Sequence, residues 1–218
     1  MKGLLITFEG NEGSGKTTQI ALLVEQLQKM GRIVRFIREP GGTPIGEEIR
    51  HTLKHSHANE AMTAEAELLL MNASRAQLVR EVIRPALARG EIIVCDRFYD
   101  STTAYQGRGR QLDLHTVKAI IDFAVGNTRP DLTLLLQVTG ATSQERLRSR
   151  QSSLPFIRDR IEEADRAFFE RVVLGYEKIA RAEPQRVRCI DANGTADQVQ
   201  AAIWRIVAPL VAPLASTA

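Results

Sequence analysis

The run Gly10-Asn11-Glu12-Gly13-Ser14-Gly15-Lys16-Thr17 has the spacing G-x-x-x-x-G-K-T, and it restricts what this chain can fold into more than any other stretch. Three glycines let backbone N–H groups turn inward on a polyphosphate with no Cβ in the way. The cradle works only between a strand, which holds the loop, and a helix, whose positive dipole end faces the anion. Both flanks are present: Leu4 to Phe8 reads as a short buried strand, and Thr18 to Met30 as an amphipathic helix stopped by Gly31. Lys16 supplies a point charge for the β- and γ-phosphates, and the Thr17 hydroxyl a ligand for Mg²⁺. Nucleotide contacts are expected from Gly10, Asn11, Glu12, Gly13, Ser14, Gly15, Lys16, Thr17 and Thr18.

Downstream, apolar strand-like runs alternate with helical patterns, which predicts an α/β chain with a five-stranded parallel sheet flanked by helices. At 218 residues and 44% hydrophobic composition it can bury one substantial core, so a single domain over 1–218 is expected. A net charge of +3 is too mild to imply nucleic acid. The first apolar run is too short for a signal peptide or a membrane span, so the expectation is a cytoplasmic protein with no membrane partner. Cys95 and Cys189 lie in apolar runs and read as buried, reduced thiols.

In an open parallel sheet, ligands gather beyond the carboxyl ends of strands. Arg32 to Ile37 reads as the second strand, so Arg38 and Glu39 in the turn after it fall beside the phosphate loop. Ile45 to Leu53 is helical and carries Arg50; His51 and His55 have zinc-ligand spacing but no completing ligands, and read as a solvated helix end. Met62 to Arg89 is a long helical pattern with Pro85 as a kink or restart. Met71 and Arg75 share one face of it, although a lone helical arginine is by default a solvated charge. Glu91 to Cys95 is a strand ending in Asp96 and Arg97, where an acid would hold Mg²⁺ or its waters.

Tyr99 to Arg110 lacks a strong apolar period and is rich in hydrogen-bonding side chains, as expected of loops and helix starts that read a base and a sugar. Leu114 to Val125 (helix) and Leu132 to Val138 (strand) look like scaffold. Thr142 or Ser143 opens a helix with Arg146, Arg148 and Arg150, followed by Arg158 and Arg160; Ser and Pro within this basic stretch predict a mobile lid over about 146–162. A helix from Asp165 to Ala182, a strand from Arg186 to Ile190, a helix from Ala196 to Val207 and a frayed tail from Pro209 complete the chain.

These parts suggest a nucleotide-dependent phosphotransferase. If the acceptor is itself a phosphate, two anions must be brought together and several cations are needed, and Arg38, Arg50, Arg75 and Arg97 can serve the acceptor side. Another P-loop nucleotide or nucleoside kinase, or a nucleotide-binding module without transfer activity, shares the loop.

The blocks Phe8-Glu9-Gly10 to Thr18, Arg38-Glu39-Pro40-Gly41-Gly42-Thr43, Arg75, and Asp96-Arg97-Phe98 with Ser101 and Ala104-Tyr105-Gln106 together resemble the bacterial thymidylate kinases over essentially the whole chain. The resemblance implies the P-loop kinase three-layer fold with a small lid, and an acceptor-binding region over about 38–75 and 96–106. It implies transfer of the ATP γ-phosphate to dTMP, giving dTDP for dTTP synthesis and ADP, with ATP and Mg²⁺, in a homodimer. It further implies that Arg97 and Arg38 hold the dTMP phosphate, that Arg75 and Gln106 meet the thymine edge, and that Ser101 and Tyr105 lie near base and sugar. Catalytic roles fall to Lys16, Glu12 and Arg97, and, because Gly13 stands where some members carry an arginine, to Arg146, Arg150, Arg158 or Arg160 from the lid. Met71 replaces the phenylalanine that usually stacks on the base, and the lid is lengthened between Arg150 and Arg158.

Overall fold

The computed structural model describes residues 3–56, 59, 61–151 and 165–212. Strand β1 (Leu4–Glu9) is apolar and buried along nearly its whole length, as a strand covered on both faces must be. It lies at the centre of a parallel sheet with β2 (Val34–Arg38), β3 (Ile92–Asp96), β4 (Leu132–Gln137) and β5 (Val187–Asp191), in the order β2-β3-β1-β4-β5. Phe8 pairs with Asp96, and Asp96 with Arg38. Three strands therefore end level, and Glu9, Glu39 and Arg97 leave the sheet at one edge.

The helices are α1 (Lys16–Lys29), α2 (Pro44–Lys54), α3 (Ala64–Leu78), α4 (Arg84–Ala88), α5 (Tyr99–Thr102), α6 (Leu114–Val125), α7 (Gly140–Gln151), α8 (Arg166–Ala182) and α9 (Ala196–Val211). On one face of the sheet Leu23 and Leu27 of α1 and Ile203 and Val207 of α9 join Phe8, Val94 and Leu134 in a core. On the other, Leu68 and Leu78 of α3 and Ile121 of α6 join Leu5, Ile93 and Cys95. Each such side chain contributes about 1.5–3 kcal/mol on burial. A third cluster unites Phe168, Val172 and Tyr176 of α8 with Tyr105 and Leu135. This is the expected three-layer α/β architecture.

Four local expectations need correction. The segment after Tyr99 is helical throughout, α5 passing into a π-helical stretch, Thr103–Gly109. Its polar side chains Thr102 and Gln106 are buried beside the site, which erases the apolar period of an ordinary surface helix. Pro85 causes no restart: α3 continues through a π-helical turn, Val79–Ile83, into α4, and the altered hydrogen-bond spacing accommodates a residue with no N–H. Helix α9 runs past Pro209 to Val211 because Val207 and Val211 are buried in the core. Cys189 is exposed, since β5 is an edge strand and turns Arg188 and Cys189 outward; Cys95 is buried as expected.

Candidate active site

One cavity of about 740 Å³ opens at the carboxyl edge of the sheet, within the range of small-molecule sites. The phosphate loop forms one wall. Its geometry is enforced at Gly10, with φ 133°, where a Cβ would meet the Leu136 carbonyl at 2.4 Å, and at Gly13, with φ 72°, where a Cβ would sit 2.7 Å from the Ser143 carbonyl on α7. Lys16 lies buried at the start of α1, its ammonium donating to the Gly10 and Asn11 carbonyls at 3.0 Å each. Burial, with help from the Arg97 charge, brings the Lys16 pKa down to about 8 against the pull of Glu12 and Asp96. Thr17 and Thr18 are exposed into the cavity.

Arg97 joins this loop to the opposite wall. It occupies the left-handed backbone region with φ 66°, a strained position for an arginine. Its guanidinium donates to the Gly10 carbonyl at 3.1 Å, pairs with Glu12, reaches Ser101 Oγ at 3.2 Å, and lies over the Tyr105 ring at 5.1 Å. Burial pushes the Glu12 carboxyl up, but Arg97 and Lys16 outweigh it and hold the pKa at about 2. Behind Arg97, Glu9 is fully buried and accepts from Phe98 N at 2.8 Å, Ser101 Oγ at 2.6 Å and the Tyr176 hydroxyl at 2.8 Å. Burial and the nearby Asp100 raise the Glu9 pKa to about 7, with Arg97 opposing.

Arg75 departs from the surface default. Its side chain is 2% exposed and its guanidinium is engaged by Glu39 Oε2 at 2.8 Å, Asn72 Oδ1 at 3.0 Å, Thr102 Oγ1 at 3.0 Å and the Phe98 carbonyl at 3.3 Å. Burial pushes the Glu39 carboxyl above its ordinary value, with Arg75 pulling against it. Glu39 Oε1 has no hydrogen-bond partner among the described residues. Arg38 pairs with Glu47, and both Arg38 and Arg50 donate to the Pro40 carbonyl, at 3.3 and 2.9 Å. Met71, Arg75 and Gln106 complete this wall.

Asp96 lines the same cavity, and its buried Oδ1 has no hydrogen-bond partner among the described residues. A carboxylate in the cavity that Thr17 also lines offers hard oxygen donors, the type Mg²⁺ takes when it also keeps waters and phosphate oxygens. Of the lid arginines, Arg146 extends from α7 across the loop, with Nη1 3.4 Å from the Gly13 carbonyl and Nη2 2.9 Å from the Ala192 carbonyl. Arg158 and Arg160, the Arg150 side chain and most of the expected lid lie outside the described residues.

The family model described as thymidylate kinase matches residues 8–203. The chain belongs to the thymidylate kinase family. Thymidylate kinase of Syntrophotalea carbinolica is 49% identical over 200 residues, covering 91% of this chain and 92% of that one. Thymidylate kinase of Pseudomonas syringae pv. syringae is 46% identical over 211 residues, covering 97% and 98%. A crystal structure of thymidylate kinase from Ehrlichia chaffeensis superposes with a TM-score of 0.76 at 30% identity, covering 95% of this chain and 100% of that one. Membership in the thymidylate kinase family makes the chain a phosphotransferase with a phosphate group as acceptor.

Against that thymidylate kinase frame, the sequence-predicted residues Lys16, Glu12, Asp96, Arg97, Arg38, Glu39, Arg50, Met71, Arg75, Ser101, Tyr105, Gln106 and Arg146 all line the one cavity. Sequence reasoning missed Glu9, Glu67 and Tyr176. Glu9 had a readable signal: an acid closing an apolar strand at its carboxyl end, the rule that found Asp96. Tyr176 and Glu67 sit on helices and carry no local mark of what they touch.

Proposed function

We propose that the chain transfers the γ-phosphoryl group of ATP to the phosphate of dTMP, releasing dTDP and ADP. The observation that carries this reading is Arg97, which binds the phosphate loop at Gly10 and Glu12 while lining the acceptor wall with Ser101 and Tyr105. A cation at that seam meets both anions. An acceptor phosphate oxygen attacks the γ-phosphorus, the bond to the bridging oxygen breaks, and ADP leaves; Lys16 and Arg146 on the donor side and Arg97 on the acceptor side balance charge on the transferring oxygens. Asp96 and Thr17 would hold Mg²⁺, which supplies charge neutralisation on the β- and γ-phosphates when bound.

On the acceptor side, Arg38 and Arg50 converge on the Pro40 carbonyl and give a cationic rim for the dTMP phosphate. Gln106, Arg75 and Met71 form the wall for the base, and Tyr105 and Ser101 that for the sugar. A coupled ADP-release assay across dTMP, dUMP, dCMP, AMP and GMP tests the reading: dTMP is expected to give the highest kcat/KM, and equal turnover across the panel refutes it.

No helix among the described residues is long and apolar enough to cross a membrane. The proposed place of work is the cytoplasm, where ATP and dTMP are found. A homodimer is proposed through α2, α3 and α6, where α3 packs against both neighbours and Ile45, Leu69 and Phe123 are exposed, the last by 83%. Sedimentation should give twice the chain mass, and Phe123→Glu should return it to monomer.

A further inference from the structure

Beneath the base wall lies a charged cluster that touches neither phosphate. Glu67 is on the first turn of α3, four residues before Met71 and eight before Arg75, and its side chain is 0% exposed. Its Oε1 accepts from the Gln106 amide nitrogen at 2.7 Å, and its Oε2 pairs with Arg110 at 3.1 Å. Arg110 is itself held by packing over the Phe168 ring, with the guanidinium carbon 4.7 Å from its centre. A buried carboxylate is costly unless paired in this way, so the cluster exists at some expense to the fold.

The chemistry of the pair settles which way Gln106 points. A side-chain amide has a donating and an accepting end of nearly the same shape, and only its partners distinguish them. An ionised carboxylate accepts and never donates. The nitrogen of Gln106 must therefore face Glu67, and the carbonyl Oε1 is the end left toward the cavity that Gln106 lines.

We propose that Glu67 is a specificity-positioning residue: through Gln106 it presents a fixed hydrogen-bond acceptor to the base of the acceptor nucleotide. This rests on the reading of the cavity as a pyrimidine nucleotide site. Thymine and uracil carry an N3–H that can donate to that oxygen. Cytosine has a lone pair at N3, which faces the oxygen without a bond, and relief would require the amide to turn its carbonyl onto the Glu67 carboxylate. The buried charge blocks that turn, since two acceptors would then oppose each other out of water. Glu67 thus excludes a base it never touches, which is discrimination by repulsion as well as by attraction.

The test is kcat/KM for dTMP and dCMP in the wild type, Glu67→Gln, Gln106→Met and the double variant. A neutral amide at position 67 can donate or accept, so Gln106 becomes free to turn. The dTMP-to-dCMP ratio is expected to fall about fivefold to a hundredfold in E67Q, the range for leaving one buried polar group unsatisfied. In the Q106M background the same E67Q change should leave the ratio unaltered, which a merely structural role for Glu67 does not predict. An unchanged ratio in E67Q, or an equal change in both backgrounds, overturns the proposal. If E67Q does not fold, Glu67→Asp, which keeps the charge but withdraws it from the Gln106 amide, replaces it in the same two backgrounds: a lowered ratio only where Gln106 is present is expected, and an unchanged ratio or an equal change in both overturns the proposal. Wild-type turnover with dTMP separately tests the underlying reading; without turnover, the same ratios are taken from Kd values by calorimetry.

Discussion

Replacing Arg75 with methionine keeps the bulk of the side chain and removes the cation that faces Glu39, whose side chain is 3% exposed. Breaking a buried ion pair by removing one partner costs about 3–5 kcal/mol, because the remaining charge stays out of water. Asn72 Oδ1 and Thr102 Oγ1 lose a donor in the same step. With a urea m-value of about 2 kcal/mol/M, the midpoint should fall by about 1.5–2.5 M. The loss should also depend on pH. Burial already raises the Glu39 pKa, and without Arg75 nothing in the pair opposes that rise. A carboxyl whose folded pKa lies above its unfolded one contributes stability that is fully present below the unfolded value and lost as pH rises through the folded value. Arg75→Met should therefore be least damaging near pH 4.5 and most damaging at pH 8. Urea titrations of wild type and variant at those two pH values are the assay. Glu39→Gln added to Arg75→Met should return most of the stability, because no unpaired charge remains. A loss under about 1 kcal/mol at pH 8, or no rescue by the second change, refutes the account of Arg75 as the partner of a buried carboxylate.

Three other outcomes follow from the same site. Lys16→Ala should lower kcat about a hundredfold to a thousandfold in the coupled assay with unchanged circular dichroism, and full activity would remove Lys16 from the transfer step. Gly13→Ala should destabilise the fold by about 1–2 kcal/mol by thermal or urea unfolding, since its φ of 72° suits glycine and the added Cβ meets the Ser143 carbonyl. Glu9 has its pKa raised from 4.5 to about 7, so its contribution to stability is fully present below pH 4.5 and lost by above pH 7, about 3 kcal/mol in all. Glu9→Gln should flatten that part of the stability curve, and a variant that tracks the wild type across the interval contradicts the burial argument.

The phosphate loop was legible because everything it needs is adjacent in the chain: glycines at positive φ, a lysine, a threonine, a strand before and a helix after. Strand and helix periods likewise depend on neighbours a few positions apart, which is why the five strands and most helices read correctly. Asp96, Arg97, Arg38 and Glu39 were reachable by one further rule, that the carboxyl edge of a parallel sheet is where ligands gather.

What local pattern could not carry is the partner of each charge. Arg75 looks like any surface arginine on a helix, and only the fold brings Glu39, 36 residues away, against it. Glu67 and Gln106 are 39 residues apart, and Glu9 and Tyr176 are 167 apart. Burial of a charge is tolerated only where another element supplies its counter-group, and that meeting is decided by how α3, the segment after β3, and α8 pack on the sheet. The amino-acid sequence alone determined the strand, the glycine-rich loop from Gly10 to Thr17 and the helix after it, the arrangement proposed to hold the polyphosphate. The tertiary structure decided which side chains line the cavity together, because the low-dielectric contacts that orient them join residues far apart in the chain.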